Sequence, residues 1–315
     1  MIHNYSKFID GQIFTKKDIL KILNDNEIEC QIIDIKFYHY KKIYIKINES
    51  GNISILKLCL HKHSIELAEN EKRGYLYFAN EDTSKFNLPN FKQINTNENY
   101  TLSKINFING KKGNYFEFAK FYKNDFSKEL NSISIEDYIF LINKKIKIDS
   151  CNNHDSKKFI DVTEKILNKY KSTLILMDAS HGDFINFNSI KTNEKYYMFD
   201  LEFFQKDASF LYDYFSWHLS PLISKTVKYK QQFIFLKIFP LLIKFLYFMF
   251  KKKYKKSIID GEKKFKILLI LFLLEKHVSS KFKKVFNEDE LISVNDRNLL
   301  SKNSNLYMNL LIKIL

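Results

Sequence analysis

The chain has 315 residues and a formal net charge of +15. Its hydrophobic content of 45%, with 16% aromatic residues, excludes a disordered chain, and its length allows one or two domains. Only 7 Gly and 3 Pro are present, so few positions allow left-handed turns or rigid loops. We therefore expect helices and strands joined by short polar turns.

The net positive charge has two interpretations. It fits an acidic partner, such as nucleic acid, an anionic membrane or a phosphorylated substrate. The chain is also crowded with Lys, Asn, Ile, Tyr and Phe, a composition that A/T-rich codons produce without any selection for charge. We therefore use the charge only in support of other arguments, and we expect no nucleic-acid partner.

The cysteines and the N-terminal segment bear on location. Cys30, Cys59 and Cys151 lie far apart and form no CxxC pair, which fits reduced thiols and no zinc site. The first twelve residues contain no apolar stretch of the kind found in secretory signals. The sequence therefore predicts a cytoplasmic protein.

The first third of the chain is predicted to be rich in strands. Residues 15–27 have the apolar spacing of an amphipathic helix, and residues 64–78 are predicted as a second helix. Between and after them, alternating or β-branched patterns predict strands at 31–38, 41–47, 53–60 and 100–107. The turn 48–52 joins two of these strands as a hairpin, and residues 80–99 are read as a polar connection.

Helical patterns dominate beyond residue 113. Helices are predicted at 115–126, 134–145 and 156–170, and long helical patterns fill the chain after residue 219. Two short apolar runs, 174–177 and 196–199, interrupt them. The sequence therefore predicts an α+β fold with a small, strand-rich lobe at 1–108 and a large, helical lobe at 109–315.

Residues 233–250 form an apolar segment that approaches the length of a membrane span. Lys237 and Lys244 interrupt it and Pro240 lies between them, so we interpret it as a buried or interfacial helix. With Lys251, the two lysines recur every seven residues, on one helical stripe opposite a very apolar face. A core helix with a solvated rim is preferred, and a helix at an anionic membrane surface, the inner membrane for instance, stays open.

The segment 180–219 carries the pattern that indicates chemistry. An apolar strand leads into His181-Gly182-Asp183, Asn188 follows five residues after the aspartate, and a second apolar strand ends at Asp200. Phosphoryl transfer requires a carboxylate that orients and deprotonates a hydroxyl, and oxygen ligands that hold Mg²⁺ on the nucleotide phosphates. This pattern supplies both kinds of group.

The same segment resembles the aminoglycoside phosphotransferase and choline kinase group. His181-Gly182-Asp183 through Asn188 is similar to the HGD-x4-N catalytic loop, and Asp200-Leu201-Glu202 is similar to the D-[FWL]-E motif. The form HGDF, with Phe187 before the asparagine, most resembles members found among bacterial surface-polysaccharide genes. The resemblance implies a bilobal protein-kinase-like fold and the cofactors ATP and Mg²⁺.

The resemblance also implies roles for single residues. Asp183 would be the catalytic base, Asn188 and Asp200 the Mg²⁺ ligands, and His181 a support for the loop. Asp213 matches the helix aspartate that accepts hydrogen bonds from the catalytic-loop backbone; a capping or surface role is the alternative.

Lys57 and Glu71 are the predicted nucleotide-binding pair. Lys57 lies in the middle of an apolar strand, where a charge is costly unless it is paired. Glu71 lies fourteen residues later in the next helix, and Glu66 and Glu69 are its close competitors. By resemblance, Lys57 would hold the α- and β-phosphates and Glu71 would fix Lys57. An edge-strand lysine facing solvent is the alternative.

The chain departs from the expected pattern in the phosphate-covering loop, because residues 37–42 contain no glycine. The main hypothesis is an ATP- and Mg²⁺-dependent phosphotransferase acting on a hydroxyl of a small molecule, sugar or glycan precursor. The missing glycines keep a second hypothesis open, a nucleotide-binding pseudokinase that serves as a scaffold in surface-polysaccharide biosynthesis and contacts the membrane.

Overall fold

A computed structural model describes residues 6–9, 12–38, 42–80, 85–122, 130–144, 153–253, 261–281 and 294–315. The chain forms two compact units. The first unit contains residues 1–123 and 187–204, and the second contains residues 124–186 and 205–315. The predicted lobe boundary at residue 108 stays a prediction.

The first unit is built on a five-stranded antiparallel sheet in the order β3-β4-β5-β7-β6. Two strand pairs follow the predicted hairpin pattern, with Ile45 opposite both Ile35 and Leu56. A short β1-β2 hairpin precedes the sheet. The bounds are β1 Ser6–Ile9, β2 Gln12–Thr15, α1 Lys16–Asp25, β3 Gln31–Tyr38, β4 Lys42–Glu49, β5 Asn52–Cys59, α2 Lys62–Ala79, β6 Phe91–Thr96 and β7 Thr101–Asn106.

The two faces of this sheet differ in chemistry. On one face, Ile43, Leu56 and their neighbours form an apolar core with Ile19 and Leu23 of α1. Because side chains alternate along a strand, the register that puts Ile43 and Leu56 in that core turns Lys57 to the opposite face. The opposite face therefore carries the polar groups of the candidate site.

A second small sheet belongs to the same unit. It joins β8 (Lys111–Lys112), β11 (Ser189–Lys191) and β12 (Tyr196–Met198) in antiparallel order, so residues 187–204 pack with the first part of the chain. The prediction of a helix at 115–126 was largely wrong. Its described part is a 3-10 turn, Tyr115–Glu117, and one turn of helix, α3 (Phe118–Phe121), while residues 123–126 lie outside the described residues.

The second unit is mainly helical. A three-stranded sheet, β9-β10-β13, is joined to helices, and α8 has a continuous buried run at residues 267–274. The bounds are β9 Ser132–Ser134, α4 Ile135–Lys144, α5 Asn153–Tyr170, β10 Leu174–Ser180, β13 Gln205–Ser209, α6 Tyr212–Lys228, α7 Gln232–Lys253, α8 Gly261–Lys281 and α9 Val294–Ile314.

Helix α7 confirms the prediction of a helix at 233–250. It differs from the prediction in where its apolar side chains lie. One face is buried, in agreement with a core helix. The face that carries the lysines is not purely polar, because large apolar side chains lie exposed beside them. By length and composition, Gln232–Lys252 is also the segment among the described helices that could cross a membrane.

Candidate active site

A buried cluster of charges occupies the polar face of the first unit. Lys57 of β5 and Glu71 of α2 are 4% and 3% exposed, and Lys57 Nζ lies 2.7 Å from Glu71 Oε2. The predicted pairing is therefore present. The competing glutamates are engaged elsewhere, since Glu69 accepts hydrogen bonds from Gln93 and Thr96, and Glu66 lies beside His63.

Three further residues complete this cluster. Glu202 pairs with Lys57 and also with Lys42, the first residue of β4, whose Nζ lies 2.7 and 2.6 Å from the two carboxylate oxygens. Asp200 Oδ1 lies 3.4 Å from Lys57 Nζ. Three carboxylates thus surround two ammonium groups, and oxygen atoms of Glu71, Asp200 and Glu202 lie within 4.8 Å of one another.

The electrostatic balance of the cluster keeps its lysine charged. Burial disfavours the charged form of Lys57, but the Glu202 and Glu71 carboxylates outweigh it and raise the pKa of Lys57 well above its usual value. Burial would likewise raise the pKa of Glu202, but Lys57 and Lys42 lower that pKa to about 2. Burial, and then the charge of Glu202, raise the pKa of Asp200. Burial also raises the pKa of Glu71, so the two lysines compensate the charge of Glu202 more fully than that of Asp200 or Glu71.

A hairpin brings Asn188 and Asp200 to the same place in the first unit. Strands β11 and β12 pair with Ser189 opposite Met198, and the Phe199 amide donates to the Asn188 carbonyl at 3.1 Å. Asn188 and Asp200 therefore lie at the same open end of this hairpin. Asp200 has a φ of +67°, a left-handed conformation that is strained for a residue with a side chain.

Helix α2 holds the segment that follows Asp200. The Asn70 amide donates to the carbonyls of Glu202 and Phe204 at 2.8 and 3.0 Å. One helical turn later, a Cβ at Gly74 would lie only 2.9 Å from Phe204 Cβ and 3.0 Å from Leu201 Cβ. Glycine is therefore required at residue 74 for α2 to approach this segment as closely as it does.

A cavity of about 490 Å³ opens on the same face of the sheet as Lys57. Tyr44 lies opposite Lys57 in the β4-β5 register and also lines the cavity. The Lys46 ammonium lies 3.8 Å from the centre of the Phe107 ring. Much of the wall is apolar or aromatic, provided by Tyr38, Tyr44, Ile55, Ile105, Phe107, Ile108, Ile190 and Phe199.

The predicted catalytic loop follows β10 in the second unit. His181 is fully buried and contacts the ring of Phe184, which is also buried. Asp213 of α6 accepts hydrogen bonds from the backbone amides of His181 and Gly182 at 2.9 and 3.3 Å. This is the contact expected of Asp213, and its burial excludes the surface alternative. Gly182 has a φ of +82°, which glycine adopts readily.

Asp183 is the partly exposed residue of this loop. Lys276 of α8 lies beside it, with Nζ 3.9 Å from Asp183 Oδ1 and 3.0 Å from the Gly182 carbonyl oxygen to which it donates. The sequence analysis missed Lys276, because a lysine near the end of a long apolar helix carries no recognisable spacing to the loop. The described second unit therefore holds Asp183 by a cation and by a backbone turn fixed on Asp213.

Sequence reasoning also missed Lys42 as a member of the site. Lys42 lies in both the predicted strand 41–47 and the glycine-free segment 37–42, of which residues 39–41 lie outside the described residues, and no role is predicted for Lys42. The alternation of β4 was the available signal, since Lys42, Tyr44 and Lys46 share one face of the strand. Glu202 was recognised as part of a motif but was given no role.

Comparison with solved structures identifies the fold. Aminoglycoside phosphotransferase APH(4)-Ia in ternary complex with AMP-PNP and hygromycin B has a TM-score of 0.53 at 10% identity, covering 94% of this chain and 98% of that one. Its complex with ADP and hygromycin B gives 0.52 at 9% identity, covering 93% and 97%. Spectinomycin phosphotransferase APH(9)-Ia, with ADP and spectinomycin, gives 0.47 at 12% identity, covering 95% and 97%.

The chain therefore has the α+β, bilobal protein-kinase-like fold, as the sequence predicted. No protein-family model matches the sequence. No curated protein matches it either.

Proposed function

We propose that this chain is an ATP- and Mg²⁺-dependent phosphotransferase that acts on a hydroxyl group of a small molecule. The observation that carries the proposal is the buried Lys57–Glu71 pair with Asp200 and Glu202 on the cavity face of the sheet. Burying four ionisable groups at one point, beside a partly exposed Asp200, is costly for a purely structural site. Groups with perturbed pKa values beside a cavity are typical of functional sites.

The first unit supplies the parts of a nucleotide site, and each part has a separate task. The cavity volume of about 490 Å³ falls in the usual range for small-molecule sites, and its apolar and aromatic wall suits a purine ring. Lys57 lies on the same face of the sheet, next to Tyr44, and would bind the α- and β-phosphates. Glu71 would hold the Lys57 ammonium in place.

The residues around Asp200 fit a magnesium ion in their donor chemistry. Mg²⁺ prefers carboxylate and amide oxygens and usually keeps several water ligands. Asp200 and Asn188 offer such oxygens at the same end of one hairpin, and the cluster of three carboxylates and two ammonium groups carries an excess of negative charge. Asn188 and Asp200 would therefore hold Mg²⁺, which would neutralise charge on the phosphates.

Lys42 offers a physical substitute for the missing glycines. Glycine-rich loops bind phosphate through backbone amides, which are partial positive charges. An ammonium group at the start of β4, already held near Lys57 by their common partner Glu202, supplies a full positive charge to the same kind of ligand. We assign Lys42 to phosphate binding on this basis.

Asp183 is the proposed catalytic base. It would accept the proton of the acceptor hydroxyl as that oxygen attacks the γ-phosphorus and the bond to the ADP oxygen breaks. His181 and Asp213 act as positioning residues, because they fix the loop backbone through burial and hydrogen bonds. Lys276 holds the Asp183 carboxylate from α8.

The acceptor is proposed to be a sugar or an anionic glycan precursor. The net charge of +15 is a poor electrostatic match for a polycationic antibiotic. The association with surface polysaccharides rests on the HGDF resemblance alone. A panel of neutral sugars, sugar phosphates and aminoglycosides, assayed by release of ADP from Mg²⁺-ATP, would identify the acceptor class.

The function is tested by comparing the wild-type chain with Asp183→Asn on the active acceptor. Loss of a general base lowers turnover by about 10²–10⁴-fold. Asp161→Asn, which changes an exposed aspartate of α5, is the matched control and should leave turnover unchanged. AMP-PNP affinity should be the same in all three proteins.

Two results would change the assignment. Equal turnover in wild type and Asp183→Asn would exclude Asp183 as the base. Mg²⁺-dependent nucleotide binding without turnover on any acceptor would instead support a nucleotide-binding scaffold.

A further inference from the structure

Helix α7 exposes an apolar row on the surface of the second unit. At 100° per residue, Ile234, Ile238, Leu241, Phe245 and Phe248 fall along one side of the helix. These side chains are between 48% and 68% exposed. Such a row of large apolar groups is unusual on a protein surface and indicates an interaction site.

A row of lysines runs beside the apolar row. Lys237, Lys244 and Lys251 recur every seven residues and are exposed, and the Lys237 ammonium lies 4.4 Å from the centre of the Phe233 ring. On the helical wheel this row is turned by about 80° from the apolar row. The helix therefore presents adjacent apolar and cationic strips, which is the pattern of a helix lying flat at a membrane interface.

The buried face of α7 shows why the helix does not span a bilayer in this fold. Phe235, Phe239, Ile243, Leu246 and Phe250 are all buried on the side opposite the exposed row. The Tyr214 hydroxyl of α6 also donates to the Leu246 carbonyl at 2.8 Å. Insertion across a membrane would strip this face from its partners in the second unit, whereas flat binding leaves them intact.

We infer that the exposed face of α7 binds the surface of an anionic lipid bilayer. The apolar row enters the boundary between headgroups and acyl chains, while the lysine row contacts lipid phosphates. The charge of the lysine row favours an anionic bilayer over a second copy of the chain. Pairing two α7 faces would bring two rows of positive charge together. This inference does not depend on the proposed function.

The direct test is co-flotation of the purified full chain with vesicles. Vesicles of phosphatidylcholine with phosphatidylglycerol at roughly 30% should carry the chain at low salt, since an anionic surface attracts basic segments. Pure phosphatidylcholine vesicles should carry little of it, and added salt should weaken binding. Sedimentation equilibrium without lipid should give a monomer.

Matched variants test whether binding depends on the lysine row and the apolar row of α7 or on the net charge and hydrophobicity of the surface in general. Lys237→Gln, Lys244→Gln and Lys251→Gln together should weaken binding by about 100-fold, since each lysine near an anionic surface contributes about fivefold. The control triple Lys144→Gln, Lys157→Gln and Lys165→Gln removes the same charge from exposed positions elsewhere in the second unit and should retain binding.

The apolar row has its own matched pair. Leu241→Gln with Phe245→Gln should abolish binding at unchanged net charge, whereas Phe140→Gln with Ile160→Gln, exposed to a similar degree on other helices, should not. Because all four positions are exposed, the variants should keep the wild-type melting temperature, which circular dichroism checks. If the Phe140→Gln and Ile160→Gln pair lost as much binding as the Leu241→Gln and Phe245→Gln pair, binding would not depend on the α7 row, and the inference would be wrong.

Two other results would also contradict the proposal. Failure of the wild-type chain to float with anionic vesicles at low salt would exclude the membrane. Self-association in the absence of lipid that the Leu241→Gln and Phe245→Gln pair removes would assign the surface to a second copy of the chain.

Discussion

The two units use their lysines in opposite ways. In the first unit, Lys42 and Lys57 are buried and held by carboxylates, at positions that alternate with the apolar core of the sheet. In the second unit, Lys237, Lys244 and Lys251 stand exposed beside an apolar row. Under the two proposals, the same side chain would bind phosphate at a fixed site in one unit and form a diffuse electrostatic surface in the other. The net charge of +15 does not separate these two uses, but burial does.

The sharpest way to test this difference is to remove a buried lysine. Lys57→Met leaves Glu71, Asp200 and Glu202 with one cation fewer, so we expect the free energy of unfolding to fall by about 3–5 kcal/mol. Lys92→Met, which removes an exposed lysine from β6, should change stability by less than about 0.5 kcal/mol. Urea unfolding of the three proteins measures both values. Similar stability in both variants would contradict a buried, paired Lys57.

Lys42→Met should have a smaller effect, of a different kind. Glu202 keeps its contact with Lys57, so the fold should tolerate the change. Loss of a charged phosphate contact should raise the KM for ATP by roughly tenfold, since hydrogen bonds to charged groups contribute about 1.5–3 kcal/mol. Steady-state kinetics against ATP, with Lys92→Met as control, would show it. If the KM for ATP were unchanged from wild type, a role of Lys42 in phosphate binding would be excluded.

Asp213→Asn should have an effect of about the same size as Lys42→Met and should act on the second unit alone. An amide oxygen accepts weaker hydrogen bonds than a carboxylate, so the amides of His181 and Gly182 lose part of their support. We expect kcat to fall by about tenfold with nucleotide affinity unchanged, since a hydrogen bond to a charged group contributes about 1–1.5 kcal/mol more than one to a neutral group. Asp207→Asn, at an exposed position of β13, is the control. Equal falls in kcat and in AMP-PNP affinity would indicate general unfolding.

Local patterns were enough to predict the main elements and two contacts of the candidate site, the pairing of Lys57 and the hydrogen bonds to Asp213. Alternation along β4 and β5 predicted the hairpin, and a charge inside an apolar strand predicted that Lys57 needs a partner. The motif at residues 181–183 predicted the loop, and Asp213 was found in its expected contact. In each case the signal lies within a short stretch of sequence.

The features that were missed depend on distant partners. Lys42 and Glu202 are 160 residues apart, and no local pattern links them. Gly74 looks like an ordinary helical glycine until Leu201 and Phe204 are packed against it. The sequence predicts a polar connection where strand β6 forms, because Lys92, Gln93 and Asn95 interrupt its alternation. Pairing with β7 outweighs that weak propensity.

The most direct test of whether the buried cluster binds nucleotide phosphates is a calorimetric titration. AMP-PNP is titrated into the wild-type chain and Lys57→Met, each with and without Mg²⁺. We expect Mg²⁺-dependent binding to the wild type and a loss of at least about tenfold in affinity for Lys57→Met, since a charged contact to phosphate is removed. Lys92→Met should bind as the wild type does. Nucleotide binding of equal strength to Lys57→Met and wild type would show that the buried cluster is not the phosphate site.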